Sequence, residues 1–144
     1  MSAITFRVEG MAPAPQGSKR HLGKGVMIES CRNVKPWRAL VTSAAIATGL
    51  PIIRGPVSMS VVFLFLRPKW HFTPKGILRA SAPEHHAVKP DGSKLLRSTE
   101  DGLTGSLLED DARIVSCTWQ KRYCVGLEKP GALITLIPLK KQSP

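Results

Sequence analysis

The ten residues Val57-Ser58-Met59-Ser60-Val61-Val62-Phe63-Leu64-Phe65-Leu66 set the centre of whatever this chain folds into. Apolar and polar residues alternate up to Val61, and from there the run is unbroken until Arg67-Pro68-Lys69 ends it. A strand that is apolar throughout needs cover on both faces, which places it inside a sheet. The run is far shorter than the ~20 residues a membrane span needs, and no other stretch approaches that length.

Other elements arrange themselves around this strand. Ile4 to Val8 alternates and reads as a first strand. Met11 to His21 is a Pro/Gly loop, Gly23-Lys24-Gly25 a turn, and Val26 to Glu29 a short strand. Lys35-Pro36-Trp37 opens a helix with proline in its first turn. Trp37, Leu40, Val41, Ala44, Ala45 and Thr48 recur at helical spacing, with Trp37 in the core, and Gly49 and Pro51 stop the helix. Pro68 to Pro90 is a polar, basic loop long enough to suggest function or disorder.

Gly92 to Thr104 reads as a second helix, with Asp91 at its N-cap and Leu95, Leu96, Thr99 and Leu103 inward. Lys94, Arg97 and Asp101 share its outer face. Arg113 to Cys124 and Ala132 to Pro138 are the last two strands, and residues 139–144 read as a flexible tail. The order β, β, α, β, loop, α, β, β does not alternate as a doubly wound fold does. It predicts an α+β fold in one domain over 1–144, a mixed sheet with helices packed on one face. The 42% hydrophobic content suffices for one core.

The N-terminus has no basic segment followed by an apolar one, so it does not read as a secretory leader. Cys31, Cys117 and Cys124 are odd in number, without CxxC spacing, and fit a reducing cytoplasm, with Cys117 and Cys124, on or beside a strand, reading as buried thiols. No GxxxxGK[ST] loop calls for a nucleotide cofactor, and His71, His85, His86 and Cys31 lack the spacing of a zinc site. His85 and His86 read as loop residues near phosphate.

Charge points to a partner. The formal net charge of +11 and the pI near 10.2 favour a polyanion such as nucleic acid. Yet six of the ten acidic residues fall between Asp91 and Asp111. Acids grouped on a basic chain oppose polyanion binding unless they hold a divalent cation against a phosphodiester. A cation beside them stabilises the developing phosphorane charge. Arg97 lies about two helical turns from Asp91. Taken singly, each acid has a plainer role: Asp91 as a cap, Asp101 paired with Lys94 or Arg97, and Glu109-Asp110-Asp111 as an exposed turn. On the carboxylate reading, the short turn from Thr104 to Glu109 brings Asp91 and Asp111 together.

Three spaced blocks carry a resemblance: Lys89-Pro90-Asp91-Gly92-Ser93-Lys94-Leu95-Leu96-Arg97, then Asp101-Gly102-Leu103, then Asp110-Asp111-Ala112-Arg113-Ile114-Val115. They resemble the RusA-like Holliday junction resolvases, which have [KR]-P-D-x-D-[NK]-L-x-[KR], then D-A-L, then D-D-x-x-[IV]. The stretch from Val8 through Pro13-Ala14-Pro15-Gln16-Gly17-Ser18-Lys19-Arg20 looks like that family's opening strand and Pro-rich loop.

The resemblance implies a homodimeric endonuclease of DNA recombination and repair. It would bind four-way or branched DNA and nick two opposed strands symmetrically with Mg2+, or Mn2+ in its place. Asp91 and Asp111 match the metal aspartates, Arg97 the catalytic cation, and Asp101 a supporting position. Ser93 stands where the second aspartate of D-x-D is expected. Ser93 itself, through water, and Asp110 are further ligand candidates. Glu100 points to another helix face, and Asp110 alternates away from Asp111 on an extended chain. Gly102 replaces the alanine of D-A-L.

Lys19, Arg20, Lys75, Lys89 and Lys94 are candidate phosphate contacts. Trp70 and Phe72 suit a wedge in the junction centre or a stacking platform, with dimer packing the alternative. A second reading makes the protein a junction-binding protein whose active site has decayed through Ser93. A third makes it a basic RNA-binding accessory domain.

Overall fold

The computed structural model of the protein describes residues 2–17, 19–21, 27–29 and 32–140, with backbone only at 19–21 and 27–29. Six strands and two helices follow in order: β1 (Ile4–Glu9), β2 (Lys19–His21), β3 (Met27–Glu29), α1 (Val34–Ala47), β4 (Val57–Phe65), α2 (Gly92–Leu103), β5 (Ile114–Tyr123) and β6 (Gly131–Pro138). The main sheet runs β1-β6-β4-β5. β6 is antiparallel to β1 and β4, while β5 is parallel to β4, so the sheet is mixed. The α+β reading is borne out.

β4 is interior, as its composition requires. Val57, Met59, Val61 and Phe63 are fully buried, whereas Ser58, Ser60 and Val62 are half-covered. Burial on both faces is reached only at Leu64 and Phe65. α1 and α2 cover one face, and Ser58, Ser60, Val62 and Leu64 occupy the other.

One loop expectation needs correction. Lys19–His21, placed in the Pro/Gly loop from sequence, is a strand that pairs with Met27–Glu29 as an antiparallel ribbon. Its three residues lack the alternation that marks longer strands. The turn expected at Gly23-Lys24-Gly25 and the thiol of Cys31 lie outside the described residues. Among the described residues, no helix is long and apolar enough to cross a membrane.

α1 and α2 pack closely. Trp37, Val41 and Ala45 line the buried face of α1 at four-residue spacing. Trp37 is fully buried and donates its indole N–H to Thr99 Oγ at 3.1 Å. Thr99 in turn donates to the Leu95 carbonyl at 2.8 Å. Thr42 Oγ donates to the Gly102 carbonyl at 2.7 Å. A Cβ on Gly102 would lie 2.8 Å from Val41 Cβ and 2.9 Å from the Arg38 carbonyl oxygen. The glycine is a packing requirement, not a tolerated weakness in the helix.

The Pro-rich segment after β1 is bound rather than free. Pro13 and Ala14 are buried, Ser98 Oγ donates to the Ala14 carbonyl at 2.6 Å, and the Gln16 N–H donates to the Lys94 carbonyl at 3.0 Å. Arg38 donates to Gln16 Oε1.

An exposed helical Gly→Ala change stabilises by up to ~1 kcal/mol. Gly102→Ala is expected to do the reverse, destabilising by about 1–3 kcal/mol through overpacking against α1, as read by denaturant melts.

Candidate active site

α2 runs antiparallel to β5, so one end of the acidic window meets the end of that strand and the other meets its start. At the N-terminal end, Lys121 on β5 reaches under the approach to the helix. Its Nζ donates to the Val88 carbonyl at 2.8 Å and the Pro90 carbonyl at 3.0 Å. The Lys89–Pro90 peptide between these anchors is cis. Trp119, also on β5, lies against Gly92, leaving no room there for a side chain. Asp91 follows directly from this clamp.

Asp91 occupies the N-cap position, but its side chain makes no capping bond. Only its carbonyl takes part in the helix, accepting from the Leu95 N–H at 3.1 Å. The carboxylate is exposed and stands 3.8 Å from Lys94 Nζ. The plain capping role is thus not the one its side chain plays. Ser93 is exposed on the first turn beside it.

The other acids gather at the C-terminal end of α2. The chain turns through Thr104 to Leu108, and the Ile53 N–H and carbonyl bond Leu107 and Glu109 at 2.8 and 3.1 Å. A 3-10 turn over Asp111–Arg113 then leads into β5. Asp110 caps that turn, accepting from the Ala112 N–H at 2.9 Å. That bond, and a hydrogen bond from the Asp111 carboxyl, hold Asp110 below its usual range. The same carboxyl–carboxylate bond pushes Asp111 up, with partial burial and the charges of Asp110 and Asp101 adding to it. Half-burial and the charges of Asp111 and Asp101 also raise Glu100, against the pull of Arg97.

Two exclusions from sequence are therefore corrected. Asp110 does not alternate away from Asp111, because the backbone there is a 3-10 turn and not a strand. Glu100 does not stand apart from the other acids, because it is half-buried and senses Asp111, Asp101 and Arg97. The remaining acids have cationic partners: Asp101 with Arg38 at 3.7 Å, and Glu109 with Arg54 at 3.5 Å and Arg113 at 3.3 Å. The expected pairing of Asp101 with Lys94 or Arg97 is replaced by one across to α1.

The expected meeting of Asp91 and Asp111 does not occur within the chain. Asp111 sits by Asp101 and Glu100, and Asp91 is ten residues from Asp101, about 15 Å along the helix axis. The connection from Thr104 to Leu108 is a tight turn that returns the chain beside the helix end and no further. Among the described residues, no three His, Cys, Asp or Glu side chains form a metal-binding group.

Arg97, Lys94, Lys75 and Lys89 are exposed, so each is available to phosphate. The side chains of Lys19 and Arg20 lie outside the described residues. His86 does not sit near phosphate: it is 7% exposed and stacked on Phe65 with ring centroids 4.1 Å apart. Its burial and Lys121 depress its pKa. Cys117 and Cys124 are half-buried with raised pKa, chiefly through desolvation, which keeps them protonated and inert. Lys121 and Trp119 escaped the sequence reading, since neither lies in the acidic window; a strand residue facing a proline turn leaves no local pattern.

Lys121→Met removes the donor to two carbonyls ahead of Asp91. The expected result is faster proteolysis between His85 and Pro90 and a stability loss of about 1–3 kcal/mol, read by limited digestion and thermal melts.

The family profile described as Endodeoxyribonuclease RusA matches residues 11–136 of the 144. No curated protein matches the chain. The matched span takes in the bound Pro-rich segment, both helices, the clamp on Asp91 and the Asp110–Asp111 turn. The chain belongs to the RusA family of endodeoxyribonucleases, the resolvases of Holliday junctions.

Proposed function

We propose that this protein is a Mg2+-dependent, homodimeric endonuclease that resolves four-way DNA junctions in the cytoplasm by paired symmetric nicks. The observation that carries the reading is that Glu100 and the Asp110–Asp111 turn gather at one end of α2, within electrostatic reach of one another and of Arg97, on a chain of net charge +11. Like-charged carboxylates so placed lose stability in the free protein and suit a site where positive charge arrives with the substrate.

Resolvases of this family are generally divalent-metal dependent. The carboxylate oxygens of Asp91, Asp110 and Asp111 are of the type Mg2+ takes, as are those of Mn2+ sites. Their placement does not fit one ion: Asp91 and Ser93 stand at one end of α2 and Asp110 and Asp111 at the other. The roles proposed for this chain's own residues are therefore those of binding and proton handling. Arg97 offers a guanidinium to a phosphate oxygen. Lys75, Lys89 and Lys94, with Lys19 and Arg20, meet the junction arms through phosphates. Glu100 and Asp111, both raised by burial and neighbouring carboxylates, keep a proton to higher pH than ordinary carboxyls do.

A second reading, junction binding without cleavage, is favoured by Ser93, a neutral hydroxyl where the family has an aspartate. Purified protein mixed with a synthetic four-way junction and Mg2+ decides between them. Symmetric paired nicks, lost in Asp111→Asn with junction binding kept, are the expected result. Binding without nicks, with nicking gained in Ser93→Asp, supports the second reading. Preference for RNA hairpins over junctions overturns both.

The acid side of the activity profile carries a further signature. Raised carboxyls are ionised only at higher pH, so as pH falls, activity that needs their charge is already lost before the ordinary carboxylate range is reached. Asp101 raises both Glu100 and Asp111. Asp101→Asn is expected to lower both and shift the acid limb of a pH–rate profile to lower pH.

A further inference from the structure

The segment between β4 and α2 is a built projection and not a loose loop. Phe72 and Leu78 pair as an antiparallel bridge. The Thr73 N–H donates to the Ile77 carbonyl at 2.8 Å, and the Gly76 N–H returns to the Thr73 carbonyl at 2.8 Å. Together they close a hairpin whose tip is Pro74-Lys75-Gly76. Its base is pinned to the core. The Arg79 N–H donates to the His71 carbonyl at 2.8 Å, and Arg79 Nε to the Phe72 carbonyl at 3.1 Å. His71 is 1% exposed, edge-on to Tyr123, and takes a hydrogen bond at Nδ1 from Arg67 at 3.2 Å. Arg67 also donates to the Pro83 carbonyl at 2.6 Å and lies over the Tyr123 ring.

What this rigid base presents is unusual for a surface. Trp70 is 63% exposed, held perpendicular to the buried His71 ring at 4.3 Å. It borders a recess of about 540 Å3 whose apolar wall is completed by Phe72 and Pro74 and whose rim carries Lys69 and Arg79. Glu84 is the sole acid in the sequence from Arg67 to Pro90, against five cations, Arg67, Lys69, Lys75, Arg79 and Lys89. A second copy of a +11 chain is a poor occupant of such a cationic recess. A polyanion with exposed π-faces is a good one.

We propose that this recess takes an unstacked nucleobase at the branch point of the DNA junction, stacked on the Trp70 indole, with Lys69 and Arg79 on the flanking phosphates. The inference rests on the junction-resolving reading and adds to it the element that tells a junction from a duplex. Bases inside a continuous duplex have no free face, and extruding one costs a few kcal/mol. At a branch point stacking is already interrupted, so an aromatic platform gains there what a duplex withholds. Phosphate contacts alone bind both alike.

The test uses the full chain carrying Asp111→Asn, so that cutting does not confuse binding. Its affinities for a four-way junction and for a duplex of the same sequence are measured first. Trp70→Ala is then expected to weaken junction binding about tenfold and duplex binding less than about twofold, with Trp70→Phe recovering most of the loss. A 2-aminopurine at the branch point should change fluorescence on binding the parent and Trp70→Phe, but not Trp70→Ala. An unchanged junction affinity in Trp70→Ala overturns the proposal. So does an equal loss on junction and duplex, or a loss that tracks dissociation of a dimer on sizing. A parent that fails to prefer junction over duplex overturns the junction reading itself, and is seen before any Trp70 variant is made.

Discussion

α2 sits where it does because two of its positions carry no side chain. Gly92 lets the helix start against Trp119 of β5, and Gly102 lets its far end close on the Arg38 carbonyl and Val41 of α1. Between them, the Trp37–Thr99–Leu95 chain of hydrogen bonds fixes the rotation of the helix. That rotation turns Lys94, Arg97 and Asp101 outward and half-buries Glu100 toward the Asp111 turn. Close packing of this kind transmits strain, so the outer face of the helix is defined by contacts on its inner one.

The acids on this frame divide by partner. Asp91, Asp101 and Glu109 each stand within 4 Å of a lysine or arginine, which places them in the ordinary economy of a basic surface. Asp110 and Asp111 share a hydrogen bond, and Glu100 is raised by its burial and by the charges of Asp111 and Asp101. Repulsion maintained in this way is characteristic of sites that await a charged ligand, and the family's reaction on phosphodiesters supplies one. The net charge of +11 favours a polyanion, while Glu100, Asp110 and Asp111 set carboxylates against it at the end of α2.

The segment from Arg67 to Pro90 shows how a chain with little regular structure is held in place. Neutral His71 and His86 fill the aromatic layer around Phe65 and Tyr123, and burial depresses the pKa of both. Arg67 and Lys121 satisfy its carbonyls from opposite sides. One clamp delivers Asp91 to the helix start and the other delivers the Trp70 hairpin to solvent.

Patterns of period two and near 3.6 were enough to recover β1, α1, β4, α2, β5 and β6, because burial of one face is a local demand that composition answers locally. The central place of β4 followed from its unbroken apolar end, and the family from three spaced motifs around Asp91, Asp101 and Asp111. The three-residue strand Lys19–His21 was illegible because it continues a Pro/Gly loop, whereas its equally short partner Met27–Glu29 could be read behind a glycine turn. His86 read as a loop residue because nothing nearby in sequence announces Phe65. The direction of α2 along β5 belonged to tertiary structure alone: whether Asp91 and Asp111 meet depends on where a turn and two glycines aim a helix. The chain's own order determined which elements form and which acids it holds. Packing across elements decided which acids stand together, since proximity through space is set by contacts between residues far apart in the chain.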